Sequence, residues 1–314
     1  MIARSLLHDG ALRMEVVPEL LGAASLWLPL LPDDTPADPA GAVVRVVACD
    51  PSGRSAPDAP PSGPQTMRMG NVSAWLDGPG AVLDGTSGFH GVVDLASRSA
   101  ELRVPPVADV ALSDPAAWDL FSAATLAAAL LLGRMDRALA HAAAVVAPEG
   151  GAWLLVGDSH AGKTTTSANL LQAGWRYVSD DQVVLYRTAD GGLSVEGWPR
   201  PFHLDEGWEG GAPLHRRGST DPRERWPRRS MRTAPLAGLL FPRVEADQPT
   251  ARGRLPASDA LARLLRQSPW LLADRGAAPR VLRLLQEAAS LPAYELRLGL
   301  DTYADPERLV RVLA

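Results

Sequence analysis

Up to about residue 110, apolar and polar residues alternate in short runs: "LRMEVV", "AVVRVVA", "MRMGNVSAWLD", "GFHGVVDL" and "AELRV". A period of two puts successive side chains on opposite faces of a strand, so this pattern predicts a β-rich N-terminal region. Two Pro/Gly-rich segments, 29–41 and 50–64, interrupt it and read as loops, the second as a mobile one. The period then changes. Asp114-Pro115 is an N-cap followed by proline at the first helical position, and Trp118, Phe121, Leu126, Leu130 and Leu131 follow at helical spacing. A helix from 115 to about 137 is expected.

Beyond it, "HAAAVVAP" and "AWLLVGD" predict two strands joined by the turn "EGG". A helix over 163–173 stops at Gly174. "WRYVSDD" reads as a strand finishing in two acids, with "QVVLYR" extending it past them. The strands "LAGLLFPRV" and "AYELRLGL" and the helices "ASDALARLLRQ", "APRVLRLLQEAAS" and "DPERLVRVLA" complete an α/β unit. The chain thus divides into a β-rich region, 1–110, and an α/β domain with a mixed sheet, 111–314.

Composition narrows the class. With 314 residues, 46% hydrophobic and 21% charged, there is material for a sizeable core and about two domains. A net charge of −5 argues against general nucleic-acid binding, which needs a basic footprint. The single cysteine, Cys49, forms no internal disulfide and fits a reducing cytoplasm. The N-terminal stretch lacks a secretory pattern, and the longest apolar run, "AATLAAALLLG", is too short to span a bilayer. No membrane partner is expected.

One residue changes the picture. The chain carries 30 arginines and a single lysine, Lys163. It lies in Gly157-Asp158-Ser159-His160-Ala161-Gly162-Lys163-Thr164, a full G-x-x-x-x-G-K-[ST] match between an apolar strand and a helix. Glycines let successive N–H groups turn inward toward phosphate oxygens, and the helix N-terminus adds its positive end. Lysine brings a compact ammonium on a flexible stem, which arginine's planar fork does not reproduce. Thr164 offers a hydroxyl for Mg²⁺, and Thr165 follows it as a further nucleotide-binding residue. Asp180-Asp181, after the next apolar run, supply one carboxylate for the metal and one to accept a proton from an attacking hydroxyl.

A guanine-specific Asn-Lys-x-Asp motif is impossible with one lysine, and no LSGGQ-like signature is present. The block "HAAAVVAPEGGAWLLVGDSHAGKTTTSANLLQAGWRYVSDDQVVL" resembles the HPr kinase/phosphorylase family and, more distantly, phosphoenolpyruvate carboxykinase. The resemblance implies an α/β kinase core using ATP and Mg²⁺ to phosphorylate a serine hydroxyl. It places His141 near the transferred phosphate, Asp181 as the acid–base group and Asp180 beside it or on the metal. A homo-oligomer is implied too. Only position supports that role for His141, and a core histidine is the alternative reading. The family commonly has glycine where His160 stands and serine where Thr164 stands. Its second signature, of Glu-x-Arg-Gly type, has no copy here. "SVEGWPRPFHLDEG" lies in that place, with Glu196, a further metal candidate, and Arg200 as substitutes. With these departures the chain also resembles the kinases that tailor ribosomal precursor peptides, including lasso precursors.

"HRRGSTDPRERWPRRSMR", 215–232, packs seven arginines against two acids. It reads either as a site for an anionic partner or as a solvated loop. Arg232 is the candidate for charge stabilisation during transfer. The acceptor expected is a serine or threonine of a peptide or protein. A small-molecule hydroxyl kinase and a nucleotide-binding regulatory module are the alternatives.

Overall fold

In the strand Leu12–Val16 every second side chain is buried, at Leu12, Met14 and Val16. The structure, a computed structural model, describes residues 1–21, 38, 40–49, 65–105, 115–198, 202–205, 217–220 and 225–313. The segment 50–64, most of 29–41, and Arg200 lie outside the described residues. The chain forms two compact units, Met1–Asp136 with Pro269–Val281, and Arg137–Ser268 with Leu282–Ala314.

The first unit holds β1 (Ile2–Ser5), β2 (Leu12–Val16), β3 (Ala42–Ala48), β4 (Met67–Met69), β5 (Val72–Asp77), β6 (Gly80–Gly85), β7 (His90–Asp94), β8 (Ser99–Val104) and α1 (Pro115–Gly133). The strands form one sheet in the order β1-β2-β3-β8-β7-β6-β5-β4. β3 runs parallel to β2 and β8, and the remaining neighbours are antiparallel. The run "MRMGNVSAWLD" is two strands, because Gly70 at φ +57 turns the chain between them. A Cβ on Gly70 would stand 2.6 Å from Trp118 Nε1 of α1. α1 packs across β3, β5, β6 and β8.

Within α1, Ala116–Gly133 is long and apolar enough to cross a membrane, with mean hydropathy 1.6, yet 94% of it is buried in the protein. The reason it is apolar on every side is that it is enclosed. The helix is thus part of the first unit, and the break after it falls at Asp136 rather than near residue 110, since its apolar surface is covered by the strands that precede it.

The second unit contains β9 (Ala138–His141), β10 (Ala143–Val146), β11 (Ala152–Leu155), α2 (Lys163–Gln172), β12 (Arg176–Ser179), β13 (Gln182–Arg187), β14 (Leu193–Trp198), β15 (Phe202–Asp205), β16 (Arg217–Thr220), β17 (Thr233–Val244), β18 (Ala251–Arg254), α3 (Ala257–Gln267), α4 (Ala278–Ser290, begun in the first unit), β19 (Ala293–Leu298), α5 (Asp301–Ala304) and α6 (Pro306–Leu313). Its main sheet runs β12-β10-β11-β17-β14-β13-β9, with β19 on β17 and β18 on β19, while β15 and β16 pair separately. β11, β17 and β19 are parallel. Their carboxyl ends share one edge of the sheet, the place where open α/β sheets seat ligands. Ala168, Leu170 and Leu171 of α2 pack in one core with Val145 of β10 and with Leu155, Leu240, Leu296 and Leu298 of these three strands. The fold is therefore mixed α/β, with two mixed sheets and a strand-rich N-terminal region.

Candidate active site

The glycine loop leaves β11 where the Val156 N–H still bonds Leu240 O of β17 at 2.8 Å. It then turns twice through left-handed backbone, at His160 (φ +66) and Gly162 (φ +98). Histidine tolerates this region better than most side chains, so His160 takes the conformation glycine would hold there. No such latitude exists at Gly162, where a Cβ would lie 2.7 Å from Leu298 Cδ1 and 3.2 Å from Val244 Cγ2. The Thr166 N–H bonds Gly162 O at 2.9 Å to start α2. At the other end Gly174 (φ +100) closes the helix: its N–H reaches Leu171 O and that of Trp175 reaches Leu170 O. Asp158, Ser159 and His160 are exposed, whereas Thr164 and Thr165 are half-buried.

Lys163 is 8% exposed. Its ammonium donates to Gly157 O at 2.8 Å and Asp158 O at 3.1 Å, and lies 3.4 Å from His141 Nε2. Burial pulls its pKa below the ordinary lysine value, against the opposing pull of Asp181, Asp180 and Asp158. Because an ammonium only donates, Nε2 of His141 is the acceptor and Nδ1 carries the proton. That Nδ1 stands 3.3 Å from Asp181 Oδ1. Thr164 Oγ1 donates to Asp180 Oδ2 at 3.0 Å. The two acids are thereby sorted, Asp180 onto the loop threonine and Asp181 onto the histidine.

This sorting depends on two breaks in the strands. His141 closes β9, and β10 begins only at Ala143, so "HAAAVVAP" is not one strand. Likewise β12 pairs with β10, whereas β13 pairs with β9 and β14, so "QVVLYR" does not continue "WRYVSDD". The chain changes neighbours at Asp180-Asp181. The register of Gln182 opposite His141 then sets Asp181 beside the imidazole. Ser179, fully buried, holds this corner by directing its hydroxyl at Gln182 O (2.5 Å) and Trp198 O (2.7 Å).

Two further residues were not legible in the sequence. Ser268 Oγ accepts the His141 N–H at 2.7 Å, and Gln267 Nε2 donates to Asp158 Oδ1 at 2.6 Å. Both follow from where α3 ends, so no local motif marks them.

Glu196 is fully buried and pairs with Arg232 at 3.4 Å. Among the described residues no group of three or more His, Cys, Asp or Glu could hold a metal ion. Part of the arginine-rich segment has structural work: Arg229 Nη1 donates to Leu171 O at the end of α2, and the backbone of 229–231 bonds Tyr177 on both sides. Arg225 lies over Trp226. Arg216, Arg223 and the side chain of Arg217 lie outside the described residues.

Among known proteins, no family model and no curated protein matches the sequence. Among solved structures, the chain is similar to the Hpr(Ser) kinase/phosphatase from Coxiella burnetii, with a TM-score of 0.33 and 12% identity over 55% of this chain and 93% of that one.

Proposed function

We propose that this protein is an ATP- and Mg²⁺-dependent kinase that phosphorylates a hydroxyl group, namely a serine or threonine of a peptide or protein. The observation that carries the reading is the meeting of Lys163, His141 and Asp181 on one side and Thr164 with Asp180 on the other.

The residues fit both groups. Gly162 lets the loop pack against Leu298 and Val244, and the Lys163 donors now on loop carbonyls are those a phosphate oxygen would take over. A hydroxyl and a carboxylate, Thr164 and Asp180, form the hard-oxygen pair Mg²⁺ prefers. Bound Mg²⁺ supplies charge neutralisation on the terminal phosphates. Asp181 accepts the proton of the acceptor hydroxyl, whose oxygen bonds the γ-phosphorus as the bond to the ADP oxygen breaks. His141 orients Asp181, and Lys163 offsets the negative charge on the moving phosphoryl group. In this reading the buried Glu196 is the fixed partner of Arg232, the arginine to which charge stabilisation during transfer is assigned.

The peptide acceptor, including a lasso-type precursor, rests on the resemblance read in the sequence, and the lone Cys49 suits action in a reducing cytoplasm. The test is intact-mass spectrometry of the peptide encoded beside the gene after incubation with enzyme, ATP and Mg²⁺. A gain of one phosphoryl group, absent with Lys163→Ala and with Asp181→Asn, is expected. Retained nucleotide binding with no gain would refute the peptide reading and point to a small-molecule acceptor.

A further inference from the structure

Between the glycine loop, the end of β17 and one face of α3 lies a cavity of about 510 Å³, within the range of small-ligand sites. Arg263, Arg266 and Gln267 line it from α3, at the i, i+3, i+4 spacing that puts side chains on one helix face. They are not equivalent. Arg263 is held, 2.7 Å from Glu295 and over the Phe241 ring at 5.5 Å. Gln267 is bonded to Asp158 of the loop. Arg243, also on the wall, pairs with Glu245 at 3.1 Å. Arg266 is exposed and makes no ion pair among the described residues.

The groups assigned above to the reacting end, Lys163, Thr164, His141 and Asp181, do not line this cavity, whereas loop residues 157–161 do. An acceptor hydroxyl has to reach Asp181, so the cavity is not its seat. A triphosphate with its terminal phosphate beside Lys163 and Asp181 has its other end left to place, and the cavity adjoins the same loop. We infer that this cavity takes the nucleoside of the donor, with Arg266 stacking on the base and Arg263 as a fixed wall. The inference rests on the kinase reading. A planar guanidinium suits an aromatic base in a way an ammonium does not.

The test compares two donors on the full chain by calorimetry, Mg-ATP and Mg-tripolyphosphate, which has the phosphates without the nucleoside. In Arg266→Ala, affinity for ATP is expected to fall about tenfold while that for tripolyphosphate stays unchanged. Arg266→Lys, which keeps the charge but loses the stacking plane, should leave most of the loss in place. Equal weakening of both donors, or of neither, would overturn the inference while leaving the kinase reading intact. So would an Arg266→Ala effect confined to the acceptor KM. A wild-type protein that binds neither donor would overturn the kinase reading itself, and this inference with it.

Discussion

Thr164 Oγ1 donates to Asp180 Oδ2 across 3.0 Å, joining the first turn of α2 to the corner between β12 and β13. Each partner carries a hard oxygen, and in the proposed reading the two together would hold Mg²⁺ between loop and corner. Disturbing either should act on the metal before it acts on the nucleotide. Thr164→Val and Asp180→Asn are expected to raise the Mg²⁺ concentration for half-maximal transfer by about tenfold or more. A Mg²⁺ titration at fixed ATP checks this, and unchanged metal dependence in both variants would remove Asp180 from the metal site.

His141 and Asp181 face each other at 3.3 Å on the side of Lys163. Asparagine preserves the shape of Asp181 and cannot accept a proton. Asp181→Asn is therefore expected to lower kcat by about 10²–10⁴-fold with ATP affinity unchanged. His141→Ala should lower kcat as well, since it leaves Asp181 in place without its orienting ring. If His141→Ala alters only stability, the core-histidine reading is the right one.

The buried ammonium of Lys163 predicts a pH dependence. Burial lowers its pKa, so the charge that the proposed reading sets on phosphate is lost earlier on an alkaline titration than for a free lysine at 10.5. A bound phosphate favours the charged form, so ATP affinity should fall as pH rises through the lowered value. Stability moves the other way. Between the lowered value and 10.5 the unfolded chain holds a proton that the folded chain lacks, so stability of the ligand-free protein rises with pH across that window. Calorimetric ATP affinity and urea unfolding over the alkaline range test both signs. Lys163→Met should flatten both curves.

Ser179 holds the corner that carries the two acids. Its buried hydroxyl serves the carbonyls of Gln182 and Trp198, which belong to different strands. Ser179→Ala is expected to cost about 1–3 kcal/mol, read from urea unfolding, and to reduce transfer because Asp180 and Asp181 lose their fixed turn. Full activity in a destabilised Ser179→Ala protein would show that the corner keeps its shape without the hydroxyl.

The N-terminal alternation, the proline-led start of α1, the glycine loop and the stop at Gly174 were all written locally. Each arises from the period of apolar residues or from what one backbone conformation permits, and neighbours in the chain suffice to express it. The glycine loop was legible for the same reason, since its residues are consecutive. β1 and β6, four and six residues long, were not read, as short runs bounded by glycine or turns carry little periodic signal. Nor was it legible that Gln182 lies opposite both His141 and Trp198, that Asp180 and Asp181 take different partners, or that Ser268 meets a backbone N–H 127 residues away. The sequence determined which chemical groups the site contains. Only the tertiary structure decided which of them touch, because strand pairing and the end of a packed helix are chosen by burial across the whole unit and not by adjacent residues.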